Sequence, residues 1–143
     1  MIIGIASDHG GYDLKLHILN ELTDISFKDL GTNSSDSVHY PYFADKCCKA
    51  ILSGDIDSGI LICGTGIGIS MRANRYCGIR AALVHDEFSA KMSKAHNNAN
   101  ILCLGGRTTS NELALHLIQT WMDTPFESGR HQDRIDLIDA PIL

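Results

Sequence analysis

The sequence predicts a doubly wound α/β domain, a Rossmann-like three-layer fold with about five parallel strands. Two observations carry this. Short apolar runs alternate with longer segments whose apolar residues recur at helical spacing. Several of those runs stop abruptly at glycine-containing turns: Asp8-His9-Gly10-Gly11, Cys63-Gly64-Thr65-Gly66-Ile67-Gly68 and Gly105-Gly106. A length of 143 residues fits one domain able to bury a core without staples.

Residues 2–7 (IIGIAS) form the first apolar run, broken by Asp8-His9-Gly10-Gly11. Leu14, Ile18 and Leu22 follow at spacing four and predict a helix over about 11–23. Ile25 to Leu30 reads as a short strand closed by Gly31. Pro41 opens a second helix with Ala44, Cys48 and Ile51 or Leu52 inward, and Gly54 ends it. Residues 59–63 (GILIC) are a buried strand, followed by the glycine turn and a helix to about Arg75. Residues 79–84 (IRAALV) are the fourth strand. Asp86 caps a helix to about His96, and residues 99–104 (ANILCL) are the fifth strand. Thr109-Ser110-Asn111-Glu112 has capping-box form before a helix to Met122, and the tail from Gly129 is polar, then partly helical. There is no repeat, low-complexity segment or linker.

Charged residues make up 20% of the chain and the formal net charge is −5, which argues against nucleic acid or an anionic membrane as partner. No apolar run approaches the roughly 20 residues of a membrane span. The apolar start lacks a basic residue and runs into Asp8-His9, so it reads as a strand and not a signal peptide. Five cysteines, with no CxxC and no zinc-ligand spacing, read as free thiols in a reducing compartment, hence a cytoplasmic protein with no metal.

Ligands of doubly wound sheets bind beyond the carboxyl ends of the strands, where the strand order switches. Asp8-His9 and Cys63-Gly64 both follow strands and lie on that edge. In the run Cys63 to Ser70, glycines let backbone approach a ligand, and the helix behind aims free N–H groups at an anion. The same field makes a thiol at the strand end reactive. The pattern equally describes a tight turn with an inert cysteine. A Cys-x5-Arg phosphatase loop is excluded because Ile69 stands where the arginine belongs. The spacing Gly64-x-Gly66-x-Gly68 also departs from the dinucleotide fingerprint.

Three further clusters bear chemistry. Asp8 and His9 can meet sugar hydroxyls and phosphate, or simply cap the first helix. His96-Asn97 offers an acid/base group, or a polar helix end. Arg107, and Arg130 with Arg134 one helical turn apart, offer guanidinium forks for phosphate, or a solvated tail.

Taken together and in this order, the clusters resemble the type B ribose-5-phosphate isomerases, relatives of the galactose-6-phosphate isomerase subunits. The matching stretches are Ser7–Gly11, Tyr40-Pro41, Ile60–Ser70, Ala73-Asn74, Gly78–Arg80, His96-Asn97, Gly105–Arg107 and Gly129–Arg134. The resemblance implies interconversion of ribose 5-phosphate and ribulose 5-phosphate through a cis-enediolate, without metal or organic cofactor. It implies Cys63 as the base, with Thr65 and backbone amides of Gly64, Gly66, Ile67, Gly68 and Ser70 around the enediolate. It makes His96 the ring-opening group, puts Asp8, Tyr40 and Asn97 on the sugar, and puts His9, Arg107, Arg130 and Arg134 on the phosphate. One branch of the family uses a glutamate base that would fall at Ile69; with Cys63 present, this chain resembles the cysteine branch. The galactose-6-phosphate subunits split these elements between two chains, whereas one chain carries them all here, as in a self-sufficient homo-oligomer. A hexose 6-phosphate (allose or galactose 6-phosphate) is the alternative substrate, and a non-catalytic sugar-phosphate binding module is the alternative class.

His96 and Asn97 precede the fifth strand, so they fall at the amino edge of the sheet, while Cys63 falls at the carboxyl edge. A strand of five or six residues spans about 17–20 Å. The expectation is therefore a homodimer, or a tetramer built from dimers, in which a two-fold partner supplies His96 and Asn97; Arg107 is expected from the partner as well. The tail from about residue 124 is expected to pack on that partner.

Overall fold

The computed structural model describes residues 1–143. Five parallel strands form one sheet: β1 (Ile3–Ser7), β2 (Phe27–Asp29), β3 (Ser58–Cys63), β4 (Ala81–Leu83) and β5 (Ile101–Gly105). Their spatial order is β2-β1-β3-β5-β4. Six helices connect or follow them: α1 (Tyr12–Glu21), α2 (Tyr40–Leu52), α3 (Ile67–Ala73), α4 (Glu87–Ala95), α5 (Asn111–Asp123) and α6 (Arg130–Asp139). The chain leaves β1 outward to β2 and then returns to the other side of β1 with β3. The switch point thus lies between β1 and β3.

The central strands are buried on both faces, and their two-residue period divides them between two cores. Ile3, Ile5, Ile60, Ile62, Leu102 and Leu104 pack with α1 and α5 and with Trp121. Ala6, Leu61, Cys63, Ile101 and Cys103 pack with α2 and α3 on the opposite face. The indole of Trp121 is satisfied in this core, donating to the Ala99 carbonyl at 3.0 Å.

The outer strands are shorter than their apolar runs. The run 25–30 yields only Phe27–Asp29, and 79–84 only Ala81–Leu83. Each is an edge strand with one neighbour, so fewer residues find a ladder partner. Before β4 the chain is diverted: Gly78 has φ +88° and the Arg80 amide donates to the Asn100 side chain at 2.8 Å. A 3-10 turn at His9–Gly11, capped by Asp8, leads into α1.

The tail is held by its own chain. The Glu127 amide donates to the Ala95 carbonyl at 3.0 Å, and Arg80 pairs with Asp139 at 2.9 Å. No helix is long and apolar enough to cross a membrane.

Candidate active site

The carboxyl edge at the switch point is built from backbone first. The Gly106 amide donates to the Cys63 carbonyl at 2.8 Å and the Arg107 amide to the Gly64 carbonyl at 2.9 Å, so the β5 end clamps the β3 end. Gly66 turns the chain into α3 with φ +77°. A Cβ there would lie 2.9 Å from the Leu104 carbonyl carbon and 2.6 Å from Leu83 Cδ1, so the position requires glycine for conformation and for space.

This turn surrounds the thiol. Cys63 is buried, and the Gly66 amide donates to its Sγ at 3.2 Å. The Ile67 amide donates to Thr65 Oγ1 at 3.2 Å, which leaves the Thr65 hydroxyl proton free to donate. The Ser70 amide donates to the Gly66 carbonyl and its hydroxyl to the Ile67 carbonyl. Gly64, Thr65, Gly68 and Ile69 keep their N–H groups for a ligand, because none finds an acceptor within the chain. Only part of the amide cradle expected from Gly64 to Ser70 is thus open: the amides of Gly66, Ile67 and Ser70 are spent on shaping the turn.

Around it stand Asp8 and His9, which the sequence placed on this edge, together with Tyr40 and Arg107. Asp8 is 6% exposed and its Oδ1 accepts from the Gly10 and Gly11 amides at 2.9 and 3.2 Å. Asp8 is therefore a cap whose Oδ2 takes no hydrogen bond from within the chain. The Val38 amide donates to His9 Nδ1 at 3.2 Å, which puts the His9 proton on Nε2, the tautomer that donates to an anion. Tyr40, at the start of α2, lies over Gly68. Arg107 sits beside Gly64 of its own chain: a Cβ on Gly64 would be 3.2 Å from Nη1. Arg107 thus belongs to the same half-site as Cys63, against the expectation that a partner supplies it.

The remaining site residues lie elsewhere. Cys63 pairs in register with Gly105 at the far end of β5, whereas His96 caps the C-terminus of α4, ahead of the β5 entry. The Asn97 carbonyl accepts from Arg80 Nε at 3.0 Å, and the neighbouring Asn100 carbonyl accepts from the amide of Gly59 at the start of β3. His96 and Asn97 therefore occupy the amino edge. Exposed Arg130 and Arg134 on α6 accompany them, because His131 of the same helix stacks on His96 with ring centroids 4.1 Å apart. The candidate residues of one chain thus fall into two groups at opposite edges of the sheet.

Sequence alone points to the two arginines of the segment Arg130–Arg134 and to no role for His131 or Glu127. Glu127 Oε1 lies 3.7 Å from His96 Nε2 and 3.5 Å from His131 Nε2. Burial, reinforced by the charges of His96 and Arg130, holds the His131 imidazole below the usual histidine range. The signal for this pair was only the spacing of Glu127 and His131, four apart, across a turn that no periodicity reveals.

The family described as Ribose/Galactose Isomerase matches residues 3–138. This chain belongs to that family. Ribose-5-phosphate isomerase B of Escherichia coli strain K12 is 41% identical, with 96% of this chain and 94% of the relative covered. The solved ribose-5-phosphate isomerase B of Clostridium thermocellum superposes with a TM-score of 0.95 at 48% identity, covering 97% of this chain and 95% of that one. The family member from Mycoplasma genitalium, solved with bound ribulose 5-phosphate, gives a TM-score of 0.90 at 42% identity, over 96% of this chain and 93% of that chain. The five-stranded parallel sheet and its flanking helices are thus the family's fold.

Proposed function

We propose that the protein interconverts ribose 5-phosphate and ribulose 5-phosphate. The observation that carries the reading is one turn in which a buried thiol, accepting from the Gly66 amide, stands beside unengaged amides of Gly64, Thr65, Gly68 and Ile69. A thiolate at Cys63 removes the C2 proton of the open-chain aldose. The electron pair moves into C1–C2 as the carbonyl becomes an enediolate, O2 gives its proton to O1, and the C2 proton returns at C1. Amides and the Thr65 hydroxyl meet the developing negative oxygen, and each such preorganised donor is worth about 10²–10³ in rate.

The aldose enters as a furanose, so the ring must open first. His96 takes the O1 proton, C1=O forms as the C1–O4 bond breaks, and the imidazolium returns the proton to O4. Asp8, Tyr40 and Asn97 hold the sugar; His9, Arg107, Arg130 and Arg134 hold the phosphate. The opposite placement of Cys63 and His96 favours a homodimer with shared sites, in which the partner contributes His96, Asn97, Arg130 and Arg134. A cytoplasmic sugar-phosphate metabolism suits free cysteines, and the chemistry asks for no cofactor.

The test is turnover of ribose 5-phosphate without added metal, beside Cys63→Ala. The variant is expected to stay folded and bind phosphate while losing activity by at least about 10³. A folded wild type inactive on the pentose but active on allose or galactose 6-phosphate would move the reading to a hexose. Inactivity on all of them, with binding retained, would leave a sugar-phosphate binding module.

A further inference from the structure

We infer that Glu127 is a positioning residue for the ring-opening histidine: with His131 it clamps His96 in plane and holds its proton on Nε2. The inference rests on the ring-opening role given to His96 above.

Three independent contacts bring the group together. The Glu127 amide donates to the Ala95 carbonyl, one of the orphan acceptors at the α4 C-terminus, and so fixes the Glu127 backbone next to His96. Ser128 and Gly129 then adopt φ +61° and +60°, a sharp turn that starts α6 and delivers His131 back under His96. The two imidazoles stack with an interplanar angle of 12°. His131 is 4% exposed, and its Nε2 has no hydrogen-bond partner, with the Glu127 carboxylate 3.5 Å away.

Chemistry selects among the uses of this cluster. His96, Glu127 and His131 place their ligand atoms within 4.8 Å of one another, as a metal triad does. Yet the lone pairs of two stacked rings lie in two nearly parallel planes, with ring centroids 4.1 Å apart, whereas metal ligands must converge on one point about 2.0–2.1 Å from each nitrogen. The arrangement suits proton chemistry better. The Glu127 carboxylate faces His96 Nε2 from 3.7 Å, and its field favours the tautomer protonated there, which leaves Nδ1 as the basic nitrogen for the sugar O1 proton. His131 covers one face of the ring and holds its plane. Burial disfavours its charged form, which weakens its competition for the carboxylate's charge.

The experiment separates the two halves of the reaction. Ribulose 5-phosphate has no furanose form, because its O5 is esterified, so exchange of its C1 proton with deuterium from solvent needs Cys63 but no ring opening. Glu127→Gln changes a half-exposed side chain and keeps its shape. The expected result is a fall of about tenfold in kcat for ribose 5-phosphate with KM within about twofold, while C1 exchange in ribulose 5-phosphate keeps its wild-type rate. Unchanged aldose turnover in Glu127→Gln overturns the inference. So does an equal fall in both reactions, which would mark a general structural role. A wild type with no aldose turnover instead sinks the pentose reading and this inference with it, a result distinct from an active wild type and an unaffected variant.

Discussion

The phenol of Tyr40 lies directly against Gly68: a Cβ added to that glycine would sit 2.5 Å from both the ring Cζ and the hydroxyl oxygen. The contact joins the start of α2 to the first turn of α3, across the mouth of the thiol turn. No backbone stands among the nearest atoms, so only the far end of a partly exposed side chain has to yield. Gly68→Ala should therefore raise helix stability by about 0.5–1 kcal/mol and displace the tyrosine from the sugar. Calorimetry should show a Tm equal to or above wild type. Steady-state kinetics should show KM for ribose 5-phosphate raised roughly tenfold, equivalent to about 1.4 kcal/mol of lost binding. An unaltered KM would remove Tyr40 from the sugar site.

Gly66 is the contrasting case. Its φ is +77°, and the atoms nearest an added Cβ include the Leu104 backbone. The Leu83 side chain can shift, but the Leu104 backbone cannot swing aside. Gly66→Ala should cost about 2–4 kcal/mol, lowering Tm by roughly 10 °C in a domain of this size. It should also misplace the amide that donates to Cys63 Sγ. Retention of wild-type Tm would show that the turn relaxes more readily than its contacts imply.

Subunit mixing tests the shared site. Cys63→Ala and His96→Ala proteins should each be inactive. Randomly exchanged, they form heterodimers for about half of the population, each with one intact site, giving about a quarter of wild-type activity. No recovery, with exchange demonstrated by a mass-tagged subunit, would place the whole reaction within one chain.

The buried His131 should make stability pH-dependent. Its folded pKa lies below the ordinary 6.5 because burial, then His96 and Arg130, disfavour the charged form, with Glu127 opposing them. As pH falls through 6.5, the unfolded chain takes a proton that the folded one resists, so this contribution to stability is present above 6.5 and declines below it until the folded pKa is passed. Wild-type Tm should drop more between pH 7 and pH 5 than that of His131→Phe, which keeps a ring in the stack but cannot titrate. Parallel profiles for the two proteins would assign the acid sensitivity elsewhere.

Much of this molecule was legible in one dimension. The runs 2–7, 59–63 and 99–104 are buried central strands because a parallel sheet covered on both faces demands unbroken apolar residues. Their glycine-rich exits mark the ligand edge because only there must backbone approach a substrate. Asp8, His9 and Cys63 could be placed on that edge from position alone, since each ends or follows a strand, whereas the closeness of Arg107 to Gly64 of its own chain came only with the fold. The extents of β2 and β4 were not legible: edge strands are trimmed by the number of neighbours they find, which apolarity does not encode. Nor was the use of each amide in the turn, because hydrogen bonds among residues 63–70 depend on torsions and not on composition. The Glu127–His96–His131 cluster belongs entirely to tertiary structure, since it forms where a turn after α5 docks on the end of α4, and no local period links residue 96 to residue 131. The sequence by itself determined the layers, the reactive edge and the inventory of chemical groups, because those follow from hydrophobic period and strand ends. The folded chain decided which groups meet, sorting them to opposite edges of the sheet, because a β-strand's length separates what the chain order merely lists.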